Sequence, residues 1–262
     1  MALPINFERV EKRYDLKSGS ALTALMDVSL LLGDRTFTTI VGPSGCGKST
    51  LLHIAAGLVP YEEGHVTIGD RRVVAPSPTV GMMFQSPVLL PWRSVMKNLM
   101  LPYELLGLGD EEEYRSRALN MLETVGIAQF AEDYPRELSG GMQQRAALAR
   151  VLLTQPEVLL LDEPFSALDE FTRESLNMEL LRLWSELQPT VCLVTHNITE
   201  SVLLSDKVVV MSARPGRVLG EIEVHLPRPR SIDMATEPEF QEIVVAIRDL
   251  MRGAMAPAAQ GR

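Results

Sequence analysis

Cysteine is scarce in this chain: Cys46 and Cys192 are the only two among 262 residues. A disulfide framework needs more, so the count fits a reducing compartment and a fold held by its own core. Long apolar runs are missing as well. No stretch approaches the ~18 consecutive apolar residues of a membrane-crossing helix. The N-terminal MALPINFERVEKRYD has acids within its first dozen residues and no apolar h-region, which predicts no signal peptide. Positive charge is also in short supply, with 25 Lys and Arg against 34 Asp and Glu for a formal net charge of −9. Without a basic stripe, nucleic acid is not an expected partner. What is present is ordinary globular material, 46% hydrophobic and 23% charged. That suffices for a core and argues against a mainly disordered chain. At ~150 residues per domain, the length suits one large domain or a core carrying an insertion. No internal repeat or low-complexity tract interrupts it.

Local pattern then divides the chain. Residues 36–41 (TFTTIV) are β-branched and aromatic and read as a buried strand. A glycine-rich turn follows, then a helix over Ser49 to Ala56 that Gly57 is placed to end. Residues 64–75 read as a short hairpin around Gly69-Asp70, and residues 80–84 as another strand ending at Gln85. From Ser86 to Gln155 the pattern turns helical. Asp110 with Glu113 reads as a capping box, Tyr114, Ala118, Leu122 and Val125 share a helix face, and Gly126 reads as a stop. Strand signals return at Val158 to Leu161, Thr190 to Val194 and Val208 to Met211, with a helix over Glu170 to Leu187. This alternation predicts an α/β core with a mostly parallel sheet, interrupted by a helical insertion. The tail carries Pro227 and Pro229 and then a helix across Glu239 to Arg252.

Two segments carry chemistry. Gly42-Pro43-Ser44-Gly45-Cys46-Gly47-Lys48-Ser49 matches G-x-x-x-x-G-K-[ST] between a strand and a helix. Glycines let the backbone curl so that successive N–H groups meet phosphate oxygens, and the helix aims its positive end at the same place. Lys48 would reach the β- and γ-phosphates, and Ser49 would offer its hydroxyl to Mg²⁺. Cys46 reads as a small side chain tolerated at a tight turn. Kinases, GTPases and motor ATPases all remain open at this point. Further on, four apolar residues run into Asp162-Glu163-Pro164, a buried strand emerging at a ligand crevice. Asp162 would hold Mg²⁺, and Glu163 either takes a proton from an attacking water or merely caps the next turn.

Leu138-Ser139-Gly140-Gly141-Met142 adds a second anion-binding helix end: Ser139 can cap a helix whose first amides two glycines leave open. One nucleotide has no evident use for two such ends from the same subunit. A second subunit facing the first, each offering this end to the other's nucleotide, resolves the surplus.

Taken in series, the loop 42–50, Gln85, LSGGM at 138–142, LLLDEP at 159–164, SALD at 166–169 and His196 resemble the ATP-binding subunits of the ATP-binding cassette (ABC) transporters over about residues 5–225. The resemblance implies an α/β fold: a P-loop NTPase core of the ABC ATPase type, with an inserted helical subdomain and a small antiparallel β subdomain. The core would comprise residues 1–85 and 156–225, the helical subdomain with its signature 86–155, and a short C-terminal extension 226–262. ATP and Mg²⁺ are the implied ligands. The phosphate loop, including Thr50, would hold the nucleotide, and Tyr14 would stack on adenine, as an aromatic face suits a flat base. Gln85 would touch Mg²⁺ or the lytic water. Glu163 and His196 would serve catalysis alongside Lys48, with His196 binding the γ-phosphate. Ser139, Gly140, Gly141 and Asp169 would act across a head-to-tail dimer. His53, His65 and His225 show no ligand spacing and read as structural. Two positions depart from the family: Met142 stands where glutamine is usual, and Asn197 where aspartate often follows the histidine.

Without a span of its own, such a cassette borrows a channel from permease subunits. It would sit peripherally on the cytoplasmic face of the inner membrane. The helical insertion is the expected docking surface, its apolar stretches Val88 to Leu90 and Leu99 to Leu106 reading either as a groove for a permease helix or as ordinary helical core. The segments GMMFQSPVLLPWRSVMKNLMLP, MSARPGR and LPRPR are similar to the importer branch for nitrate, aliphatic sulfonates and taurine, which also implies a solute-binding protein. Against this stand an exporter or lipid-trafficking cassette, a cassette of DNA repair or translation, and a soluble P-loop phosphotransferase. The second would show a coiled-coil insertion or tandem cassettes, and the third has no use for LSGGM.

Overall fold

A computed structural model describes residues 2–15 and 20–255, the last three of these by backbone alone. In chain order the elements are β1 (Ile5–Asp15), β2 (Ala21–Leu32), β3 (Phe37–Val41), α1 (Lys48–Ala55), β4 (Glu63–Ile68), β5 (Arg71–Arg72), β6 (Val80–Met83), α2 (Val95–Leu99), α3 (Leu101–Leu106), α4 (Glu111–Thr124), α5 (Gly140–Leu153), β7 (Val158–Asp162), α6 (Glu170–Leu187), β8 (Thr190–Thr195), α7 (Ile198–Leu204), β9 (Lys207–Met211), β10 (Val218–Glu223) and α8 (Pro238–Met255). They form two compact units, Met1–Ser77 with Gln188–Arg262, and Pro78–Leu187.

The first unit contains two sets of strands. An antiparallel sheet runs in the order β2-β1-β4-β5. β1 and β2, absent from the sequence reading, are its longest strands. The reason lies in β1 itself: Ile5, Phe7 and Val10 are buried, but the spacing slips by one residue between Phe7 and Val10. Arg9 adopts a left-handed φ of 48° there, and Gly64 packs so closely that a Cβ would lie 2.3 Å from the Glu8 carbonyl oxygen. A bulge of this kind breaks the two-residue period on which strands are recognised. The hairpin of β4 and β5 turns at Gly69-Asp70 as its sequence indicates, with Gly69 at φ 55°.

The second set in this unit runs β10-β9-β3-β8. β3 is parallel to both β8 and β9, while β10, also unforeseen, returns antiparallel to β9. Every residue of β3 and β8 is buried, as befits parallel strands covered on both faces. α1 packs against β8, α7 against β3, and α8 lays Phe240, Val244 and Ile247 into the core beside β9 and β10.

The second unit pairs β6 with β7 in parallel and is otherwise helical. Asp110 caps α4 by accepting the Glu113 N–H at 3.0 Å, and Tyr114, Ala118, Leu122 and Val125 are all buried along one face. Gly126, at φ 71°, follows as expected. Arg145 of α5 forms an ion pair with Glu179 of α6 and donates to the Val125 carbonyl oxygen at 3.0 Å, so one guanidinium ties three helices. Burial raises the Glu179 carboxyl while the charges of Arg145 and Arg182 oppose the rise. Among the described residues no helix is long and apolar enough to cross a membrane.

The tail beyond β10 is stitched to the first unit by two arginines. Arg228 donates to Asp206 Oδ1 at 2.7 Å, and the other oxygen of that carboxylate accepts the Phe37 N–H at 2.9 Å. Arg230, 3% exposed, spreads its guanidinium over the carbonyl oxygens of Val202, Leu203, Ser205, Val224 and Leu226. Three of these belong to the end of α7 or the turn after it, where helix carbonyls lack partners and a cation is favoured. Burial, reinforced by the neighbouring charge of Arg228, lowers the Arg230 pKa to about 10, so the group stays charged at neutral pH. Arg230→Ala would orphan this buried carbonyl cluster. The expected cost is about 3 kcal/mol, read as a lower urea midpoint with an unchanged m-value.

Candidate active site

The phosphate loop is built by the end of a strand. β3 runs buried to Val41, and the chain then curls through Gly42–Gly47 into α1. Gly45 and Gly47 hold φ values of 73° and 105°, which a side chain would resist. Lys48 is 4% exposed, and its ammonium donates to the carbonyl oxygens of Gly42 (2.8 Å) and Pro43 (3.0 Å), with Cys46 Sγ 3.9 Å away. Those contacts turn two carbonyls of the loop onto a cation. Ser44 and Gly45 are exposed at its crest, and Ser49 and Thr50 are half-buried in the first turn of α1. Tyr14, at the end of β1, brings its hydroxyl to 3.5 Å from Thr50 Oγ1, a long contact. Lys12 lies over its ring at 5.0 Å from the centroid while donating to Glu62 at 2.7 Å.

Parallel pairing places a second residue at the same edge. Val41 of β3 is in register with Thr195 of β8, so the loop after Val41 and His196 after Thr195 leave from adjacent strand ends. This is the edge at which open α/β sheets bind ligands. His196 is exposed. The residues around it form a closed circuit: the Thr195 hydroxyl donates to the Glu200 carboxylate, Thr195 Oγ1 accepts the Asn197 N–H at 3.1 Å, and Asn197 Oδ1 accepts the Glu200 N–H at 3.0 Å. Glu200 is 6% exposed. Asn197 is thus the N-cap of α7, a position that takes Asn or Asp equally well, and the departure at this residue leaves the turn intact.

The second unit repeats the arrangement with different residues. β6 and β7 run in parallel with Met83 opposite Leu161, so Gln85 and the Asp162-Glu163 pair leave from neighbouring strand ends. Asp162 is 7% exposed, and Glu163 adopts a left-handed φ of 45°. Strain of this kind in a non-glycine residue clusters at functional sites. The Glu163 carbonyl oxygen accepts the Ser166 hydroxyl at 3.1 Å, and that hydroxyl accepts the Gln85 side-chain amide at 3.3 Å. Gln144 of α5 donates to the Gln85 carbonyl oxygen at 3.0 Å. Ser166 and Gln144 thereby join Gln85, the acidic pair and the signature helix; the sequence showed Ser166 inside a motif but no role for either residue. Ser139 caps α5 by accepting the Met142 N–H at 3.3 Å, a backbone contact that the identity of residue 142 does not enter. Gly140 is exposed and Gly141 half-buried, and a Cβ on Gly141 would lie 2.9 Å from Thr172 Cγ2. Asp169 is exposed and accepts the Thr172 N–H at 3.0 Å, a hydrogen bond that lowers its pKa.

Residues 25–166 match the sequence pattern of the family described as ABC transporter. The chain belongs to that family. The cassette is 44% identical to the aliphatic sulfonates import ATP-binding protein SsuB of Bacillus licheniformis, over 90% of this chain and 89% of the relative. It is 41% identical to the taurine import ATP-binding protein TauB of Rhizobium johnstonii, over 89% and 90% of the two chains. Among solved structures, the dimeric post-hydrolysis ATP-binding cassette MJ0796 bound to ADP and Pi superposes with a TM-score of 0.76 and 32% identity, covering 85% of this chain and all of that one. The fold is accordingly the α/β P-loop fold of the ABC ATPases, and the cassette binds and hydrolyses ATP.

In the apolar stretches of the helical insertion the structure separates core residues from exposed ones. Leu89, Leu99 and Met100 are buried in the core of the second unit, whereas Val88, Leu105 and Leu106 are exposed. Trp92, 71% exposed and missed by the sequence reading, joins the latter. For Asn197 the structure sets a sharp expectation. Asn197→Asp keeps the cap and changes stability by less than about 0.5 kcal/mol, whereas Asn197→Ala loses about 1 kcal/mol, both measured by urea unfolding.

Proposed function

We propose that the cassette is the ATP-hydrolysing motor of an importer for a small solute of the nitrate, sulfonate or taurine kind, working as a head-to-tail pair of identical subunits. The observation that carries the pairing is the Ser139-capped helix end with its two glycines, an anion-binding terminus additional to the phosphate loop. The import assignment draws on the named functions of the sulfonate and taurine relatives.

In this reading the loop Gly42–Thr50 receives the triphosphate, with Lys48 on the β- and γ-phosphates. Tyr14 stacks on adenine through the ring face opposite Lys12. Ser139, Gly140 and Gly141 of one copy meet the γ-phosphate held by the other, and Asp169 reaches across the same interface. Glu163 accepts a proton from the attacking water, while His196 and Gln85 hold that water in line. The oxygen donors Ser49, Gln85 and Asp162 suit Mg²⁺, which prefers oxygen ligands and keeps several waters. When bound, that ion would offset charge on the phosphates. Closure with ATP favours one permease state and hydrolysis releases it, since a nucleotide shifts an equilibrium only through differential affinity.

The remaining assignments follow from this cycle. The nucleotide core comprises residues 1–85 and 156–225, residues 86–155 form the permease-facing subdomain, and residues 226–262 an extension. Val88, Trp92, Leu105 and Leu106 are the exposed apolar side chains offered to the permease. The partners are a second copy, two permease subunits and, indirectly, a solute-binding protein, with the cassette held at the cytoplasmic face of the inner membrane.

Two variants test the cycle. Glu163→Gln is expected to bind ATP, to hydrolyse it at least about 100-fold more slowly and to elute as a dimer with ATP on gel filtration. Wild-type turnover in that variant would remove Glu163 as the base. Lys48→Ala should lower ATP affinity by at least about tenfold in equilibrium binding, since it removes the charge aimed at the phosphates. Unchanged affinity would overturn the assignment of the loop.

A further inference from the structure

The segment MSARPGR, Met211 to Arg217, has no part in the hydrolytic cycle above, yet the fold delivers it to the phosphate loop. β9 is parallel to β3 with Val210 opposite Val41, so the turn after β9 leaves from the same strand edge as the loop. Ser212 closes that turn on itself: its hydroxyl donates to the Pro215 carbonyl oxygen and accepts the Arg217 N–H, each at 2.9 Å. Gly216 then lies in β-type pairing beside β2, donating to the Ala24 carbonyl oxygen at 2.8 Å and accepting the Met26 N–H at 3.0 Å. The fit against the loop is tight. A Cβ on Gly216 would fall 2.1 Å from the Cys46 carbonyl oxygen, and one on Gly47 would fall 2.7 Å from Leu25 Cδ2. From this platform Arg214 donates twice to a single acceptor, the Gly45 carbonyl oxygen, through Nε at 3.1 Å and Nη2 at 2.9 Å.

An anion-binding loop works only if its N–H groups face the ligand and its carbonyl oxygens do not. Lys48 already occupies the carbonyls of Gly42 and Pro43. Gly45 is exposed, left-handed at φ 73° and without a side chain, so its peptide has little else to fix it. We propose that Arg214 is a positioning residue for the phosphate loop, holding the Gly45 carbonyl on the outer side of the turn so that the loop is preformed for the triphosphate. This rests on the assignment of residues 42–50 to ATP. Arg214 grips the loop rather than the reacting atoms, so its removal weakens nucleotide binding and leaves the chemical step alone.

The test compares the full-length wild type with Arg214→Ala and Arg214→Lys, measuring ATPase kinetics together with equilibrium ATP binding. Arg214→Ala is expected to raise both KM and Kd for ATP about five-fold, as loss of a charge-assisted hydrogen bond on an exposed side chain implies, with kcat within two-fold. Arg214→Lys keeps the charge but cannot offer the guanidinium fork and should recover part of the loss. An unchanged KM in Arg214→Ala, a fall in kcat at constant KM, or full recovery by Arg214→Lys would each overturn the proposal. If Arg214→Ala does not fold, the KM of Arg214→Lys decides alone, a wild-type value overturning it. A wild type that failed to bind ATP would instead sink the loop assignment, whereas a wild type that binds beside an indifferent Arg214→Ala sinks only the role of Arg214.

Discussion

Parallel strands in one sheet must all finish at the same edge, and the chemistry of this cassette depends on that constraint. β3, β8 and β9 end together at Val41, Thr195 and Met211, and the next residues of each are the phosphate loop, His196 and the turn bearing Arg214. Segments separated by more than a hundred residues become neighbours because hydrogen-bond registers align their last residues. β3 and β8 are buried throughout and β9 in all but Lys207, so a slip of one residue would exchange the side chains packed on the two covered faces. These three segments proposed for the site all follow strand ends, which the core holds in register.

Within each unit, polar groups near the strand ends orient backbone. Lys48 binds carbonyl oxygens of its own loop, Thr195, Asn197 and Glu200 close a ring around the histidine turn, and Ser166 links Gln85 to the Glu163 carbonyl. Each contact is worth only about 1 kcal/mol in isolation. In the proposed cycle their value lies in geometry: groups already oriented need not be rearranged when charge develops in the transition state. The left-handed Glu163 fits the same account, as a strained residue that its surroundings hold in place.

How much of this was legible in the sequence depended on the period of each segment. β3, β7, β8 and β9 are short, β-branched or aliphatic, and uninterrupted, so their positions could be read directly, and α6 was placed to the residue. β1 and β2 escaped because bulges shift their alternation and charged residues cover the exposed face. β10 escaped because none of its residues is fully buried. Of the candidate site residues, the phosphate loop and the Ser139 cap have local signatures that the structure reproduces as local geometry. Gln144, Ser166 and Arg214 do not, because each is defined by a partner distant in sequence: Gln85 for the first two, Gly45 for the third. Trp92 could have been noticed as a large aromatic in the insertion, but its exposure is a tertiary fact.

The pair of arginines at the start of the tail changes what counts as the end of the domain. Because Arg230 is buried among backbone carbonyls and Phe240 is seated in the core, the chain from β10 through α8 belongs to the same compact unit as the loop Gly42–Gly47. A recombinant boundary drawn at the last strand would leave α7 without its cationic stopper and uncover an apolar seat, inviting aggregation. Anyone trimming the cassette for crystallisation should cut beyond α8 instead.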